Sequence, residues 1–151
     1  MYDLEEIKKR CTPMMATYID TKLQNRDCIL FYRLGDFYEM FFDDAEKASK
    51  LLDLTLTGKD CGLDYRAPMC GIPYHAAEQY IAKLVSAGEK VAVCEQLDAP
   101  QKGKLVDRGI VRIVTAGTVT EDCNLDKDKN NFIACVYVGK NKGALCWCDI
   151  T

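Results

Sequence analysis

The chain has 151 residues, 48% of them hydrophobic and 28% charged, which fits one packed globular domain with part of a second. Its net charge of −3 excludes a protein that grips nucleic acid through bulk positive charge. No apolar run approaches the roughly 18 residues of a membrane span, and the charged first ten residues lack a signal peptide's apolar stretch, so a cytoplasmic location is expected.

Thr12-Pro13 reads as a helix start, an N-cap followed by proline at the first helical position. Met15, Tyr18, Ile19 and Leu23 follow at helical spacing, and residues 25–27 close the element. Cys28 to Leu34 is a nearly continuous apolar run of β-formers, as a strand buried on both faces requires. Gly35-Asp36 breaks it, and Phe37 to Phe42 reads as extended. Asp43 with Glu46 resembles a capping box opening a helix with Ala45, Ala48, Leu51 and Leu52 on one face. A short strand is expected over Leu54 to Thr57, a Gly/Asp-rich loop over 58–64, and an irregular proline-bracketed segment over Pro68 to Tyr74.

Ala77, Tyr80, Ile81, Leu84 and Val85 form the clearest helical stripe, ended by Gly88. Lys90 to Gln96 and Gly109 to Val114 read as strands separated by a polar loop over 98–107. Residues 121–131 are polar and charged, as in a linker, and Phe132 to Val138 with Ala144 to Asp149 form a hairpin. The expected fold is therefore α/β (α+β): a mixed sheet of five or six short strands flanked by three helices, then a truncated hairpin. The expected domain is 1–120, the linker 121–131, and the start of a second domain 132–151, since a lone hairpin is marginally stable in water.

The nine cysteines form an odd set without a secretion signal, so reduced thiols are expected. Cys28, Cys94, Cys135 and Cys146 lie in apolar runs, where a thiol serves as a small buried hydrophobe.

Phe37-Tyr38-Glu39 carries the most specific chemistry. On an extended segment Phe37 and Glu39 project one way and Tyr38 the other. An exposed ring can be driven between base pairs as a wedge that kinks the duplex from the minor groove. Unstacking costs least where a base is already mispaired. A neighbouring carboxylate can hydrogen-bond an exposed base edge and repels phosphates of intact duplex. Spacing alone leaves open a second reading, with Phe37 in the core and Glu39 merely solvated.

The strings TPMMATYIDTK, ILFYRLGDFYEMFFDDAEKASKLLDLTLT, PMCGIPYHAAEQYIAKLVSAGEKVAVCEQLDAP and RIVTAGTVT follow in unbroken order over about residues 12 to 120. They resemble the N-terminal mismatch-recognition region (domain I) of the MutS family of DNA mismatch-repair proteins, and the trailing hairpin resembles the start of that family's connector domain. GDFYE and GIPYHA, with the later CEQ, are highly specific together. The resemblance implies that Phe37 stacks on a mispaired base and Glu39 hydrogen-bonds it. It places the PMxGIPYH segment, Pro68 to His75, near the mismatch, with Met69 as the candidate apolar minor-groove contact, and suggests backbone contacts from Arg108 and Arg112. Several bacterial relatives carry adjacent basic residues where this chain has Gly58-Lys59-Asp60, leaving only Lys59 for a phosphate there. The resemblance further implies double-stranded DNA with mispaired or unpaired bases as partner. It implies a homodimeric parent acting with downstream repair proteins, and ATP with Mg²⁺ bound elsewhere in that parent.

This chain itself is expected to be no enzyme and to need no cofactor. It lacks GxxxxGK[ST]. Its single histidine, His75, opens a helix and reads as structural rather than as a partner for a cysteine nucleophile. Cys146 and Cys148 lack a second pair at zinc-ligand spacing, so no metal is expected. Two other classes stand beside the DNA reader: a small Mg²⁺-dependent nuclease using Asp36 and Glu39, and a protein-interaction module with a buried Phe37.

Overall fold

A computed structural model describes residues 2–97, 106–118, 130 and 132–149. Four helices, α1 (Leu4–Lys8), α2 (Pro13–Gln24), α3 (Phe42–Leu52) and α4 (Ala77–Ser86), accompany eight strands. The strands are β1 (Cys28–Leu34), β2 (Phe37–Phe41), β3 (Thr57–Lys59), β4 (Ala67–Pro73), β5 (Lys90–Gln96), β6 (Arg108–Val114), β7 (Phe132–Val138) and β8 (Gly143–Asp149). The first six form one mixed sheet in the order β3-β4-β2-β1-β5-β6, and β7-β8 form a separate two-stranded sheet. The expected α/β class holds, with six strands in the main sheet.

Among the described strands only β1 and β5 run parallel, with Cys28 opposite Lys90 and Tyr32 opposite Cys94. This central pair is covered on both sides, which explains the unbroken apolar character of CILFY. One face, with Ile29, Phe31, Tyr38, Met40 and Ile72, packs against α3 and α4. The other, with Leu30, Tyr32, Phe41 and Cys94, packs against α1 and α2 through Ile7, Met15, Tyr18 and Ile19. Gly88 ends α4 as expected: at φ +86 it lets its own N–H reach Val85 O and the Glu89 N–H reach Leu84 O.

Several expectations are corrected. Pro68 to Tyr74 is not irregular; β4 covers Ala67–Pro73 and pairs with both β2 and β3. Its prolines are tolerated because each lacks a neighbour on one side: β2 pairs only with residues 69–73 and leaves Pro68 free there, while β3 pairs only with residues 67–69 and leaves Pro73 free. The strand expected at Leu54 to Thr57 lies at Thr57–Lys59 instead. Asp43 and Glu46 do not form a capping box, since α3 begins at Phe42 with N-cap Phe41. Both side chains accept hydrogen bonds from Tyr2, Asp43 from its backbone N–H at 3.1 Å and Glu46 from its hydroxyl at 2.7 Å. Leu51 points to solvent rather than joining Ala45, Ala48 and Leu52. Helix α1, fixed by Asp3 accepting from the Glu6 N–H, adds a fourth helix to the three expected.

The eight described cysteines are free thiols. Cys28 and Cys94 are buried, but Cys135 and Cys146 are exposed, contrary to expectation. They face each other across β7 and β8. Among the described residues no third element covers either face of this two-stranded ribbon, and its Trp147 and Val136 are equally open. The loop over 98–107 and the linker over 121–131 fall outside the described residues, except for Val106, Asp107 and Asn130.

Candidate nucleic-acid interface

The β1–β2 hairpin turns through Gly35-Asp36, with Leu34 opposite Phe37, Arg33 opposite Tyr38 and Tyr32 opposite Glu39. Gly35 sits at φ +61, a backbone region that a side chain strains, as the first residue of so tight a turn demands. The turn is clamped from the residue that follows β4, because the Tyr74 N–H donates to Asp36 O at 3.0 Å. Arg33 adds a second brace, its guanidinium 3.7 Å from the Tyr74 ring centroid and 5.6 Å from that of Tyr38.

Alternation along β2 sets what this turn presents. Phe37 is 47% exposed, whereas Tyr38 points inward and is 5% exposed. The Tyr38 hydroxyl donates to Glu95, and burial together with that carboxylate pushes its phenol up to about 12. Glu39 and Phe41 share the Phe37 face. Phe41 is buried against the Tyr18 ring of α2, 4.8 Å between centroids. Cover on this face therefore fades along β2 from Phe41 to Phe37, leaving the turn end of the sheet open.

Glu39 meets Lys59, whose Nζ lies 2.7 Å from Glu39 Oε2. Met69 stands on the same face, registered with Phe41 and Thr57, and is half-buried against the α1–α2 side of the core. Arg108 also belongs to this side of the sheet. Its Nε and Nη1 donate to Arg33 O and Val106 O, both at 2.9 Å, and its guanidinium lies 5.3 Å from the Tyr32 centroid. The Tyr32 hydroxyl is buried with no hydrogen-bond partner among the described residues, and burial pushes its phenol up.

Arg112 is placed elsewhere. It pairs in register with Val93, on the α3–α4 face, and its guanidinium bonds Glu78 of α4. The structure thus gathers Phe37, Glu39, Lys59, Met69 and Arg108 on one face and sets Arg112 on the other. Sequence reasoning missed Arg33 and Tyr74, which brace the turn, and Gly71, which lies directly across from Glu39. The tight turn was the only signal pointing to such bracing.

His75 is exposed in the short 3-10 turn Tyr74–Ala76, its ring edge-on to Tyr74 at 5.8 Å. Among the described residues no group of three His, Cys, Asp or Glu side chains could hold a metal ion. None of their helices is long and apolar enough to cross a membrane.

Fold and site together define a mixed α/β domain whose sheet presents a ring and a carboxylate at one open end. The family model described as MutS domain I matches residues 12–123, and the chain belongs to that family. It is 58% identical over 141 residues to the DNA mismatch repair protein MutS of Acetivibrio thermocellus, covering 93% of this chain and 16% of that protein. The proteins of the same name from Clostridium botulinum and Clostridium tetani are each 57% identical, over 141 and 143 residues. These matches cover 93% and 94% of this chain, and 15% and 16% of those proteins. The chain thus spans about one-sixth of the length of these relatives.

Proposed function

We propose that this domain inspects DNA for mispaired bases from the minor groove, with Phe37 as the wedge and Glu39 as the hydrogen-bonding partner of the displaced base. The observation that carries the reading is an apolar ring 47% exposed at the tip of a braced turn, on the same face as Glu39. An exposed ring costs solvation unless something stacks on it, and a rigid turn delivers it without further loss of chain entropy. Glu39 bonded to Lys59 retains acceptor sites for a base edge, since a carboxylate offers about four.

The sequence-independent grip then comes largely from other parts of a full-length MutS, because this chain carries a net charge of −3. ATP hydrolysis, dimerisation and signalling to downstream repair proteins are assigned to those parts as well. On this reading residues 1–120 form the inspecting domain and 132–151 begin the next, joined by 121–131.

The Glu39 role has a direct test in a full-length MutS carrying this segment. Glu39→Ala removes both the bond to the base and the repulsion from intact backbone. Binding to matched duplex should therefore tighten while binding to mismatched duplex holds or weakens, so that preference drops several-fold. Unchanged affinities for both duplexes, measured by fluorescence anisotropy, would remove Glu39 from the interface.

A further inference from the structure

Glu39 and Lys59 lie on strands that are not neighbours, because β4 runs between β2 and β3. Adjacent strands are spaced at about 4.8 Å, so the pair reaches across roughly 10 Å of sheet. Lys59 pairs with Ala67, four residues along β4, so the lysine reaches diagonally to a carboxylate that faces Gly71. A Cβ there would lie 3.3 Å from Tyr38 O and 3.6 Å from Glu39 Cγ. Neither partner is fully solvated: 32% of the Lys59 side chain and 17% of that of Glu39 are exposed. The ammonium also lies 5.7 Å from the Phe41 ring centroid.

We infer that Lys59 is a positioning residue for mismatch discrimination, holding the Glu39 carboxylate beside the wedge rather than serving mainly as a phosphate contact. The inference rests on the reading that Glu39 meets the mispaired base. A carboxylate on a flexible stem loses rotamer freedom when it binds. One already held across β4 by an ammonium has lost that freedom before DNA arrives. The ammonium also offsets a negative charge that must approach phosphates. A partly shielded, charge-assisted contact exceeds an open surface pair in strength.

The test uses a full-length MutS carrying this segment, with Lys59→Met, Lys59→Arg, Glu39→Gln and the double variant that combines Lys59→Met with Glu39→Gln. Each is titrated with a matched duplex and with the same duplex bearing one mismatch, over a range of salt. Lys59→Met should lower the preference for the mismatch by about fivefold, and Lys59→Arg should retain most of it. In the Glu39→Gln background, Lys59→Met should leave the preference unaltered.

Equal weakening on both duplexes, with the salt slope reduced by about one, would make Lys59 a phosphate contact and overturn the inference. So would a fivefold effect of Lys59→Met that persists in the Glu39→Gln background. Should Glu39→Gln alone leave the preference untouched, the reading of Glu39 fails and this inference with it, a pattern distinct from the other two.

Discussion

Phe37→Ala in a full-length MutS carrying this segment should erase most of the preference for mismatched over matched duplex, a loss of roughly ten- to hundredfold. Stacking a base on an aromatic ring is worth about 1–3 kcal/mol, and a wedge of the kind proposed gains from the lower unstacking cost at a mispaired step. Matched duplex, whose pairs resist opening, should bind nearly as before. The fold should be unaffected, since Phe37 belongs to neither buried cluster. Circular dichroism and urea midpoints equal to the parent's, with the preference gone, constitute the expected result. Retained preference would mean that the ring does not enter the duplex.

The second large effect concerns stability. Asp44 of α3 and Lys22 of α2 come from opposite faces of the sheet and meet at 2.9 Å, with only 7% and 11% of their side chains exposed. The Leu30 N–H donates to Asp44 at 3.0 Å, and Lys22 donates to Cys28 O at 2.5 Å, so both helices are tied to β1. Asp44→Ala leaves a nearly buried ammonium without its counter-ion and a strand N–H without its acceptor. The expected loss is about 3–5 kcal/mol, a large part of the roughly 5–15 kcal/mol that holds a domain folded. Lys22→Met combined with Asp44→Leu should recover much of it, because the desolvation of both charges disappears together. Urea denaturation of the parent and these two variants decides the matter. A loss below about 1 kcal/mol for Asp44→Ala would show that water reaches the pair.

The central sheet was legible because burial on both faces writes itself as an apolar run, in CILFY and again in KVAVC. The open end of the sheet was legible as alternation, since Phe37, Tyr38 and Glu39 differ in chemistry where their faces differ in cover. What stayed hidden depends on pairing rather than on local pattern. The β4 strand carries two prolines and a glycine, and only its partners β2 and β3 make it a strand. Asp43 and Glu46 had the spacing of a cap, but Tyr2, far upstream in the chain, takes both. The bond from Lys59 to Glu39 spans an intervening strand, which no periodicity reveals. Arg112 looked like part of one basic strand with Arg108. A register shift at Val93/Cys94 lies between them in the pairing of β5 with β6, and their side chains reach opposite faces.

Crosslinking from position 37 shows whether the proposed wedge enters DNA. Phe37→p-benzoylphenylalanine in a full-length MutS carrying this segment, irradiated on a duplex with one mispaired base, should attach to that base or its stacked neighbour. The same group at Val111, an exposed apolar position on β6, should give no comparable product. Adducts scattered along the duplex, or no dependence on the mispair, would contradict a ring that enters DNA at its weakest step.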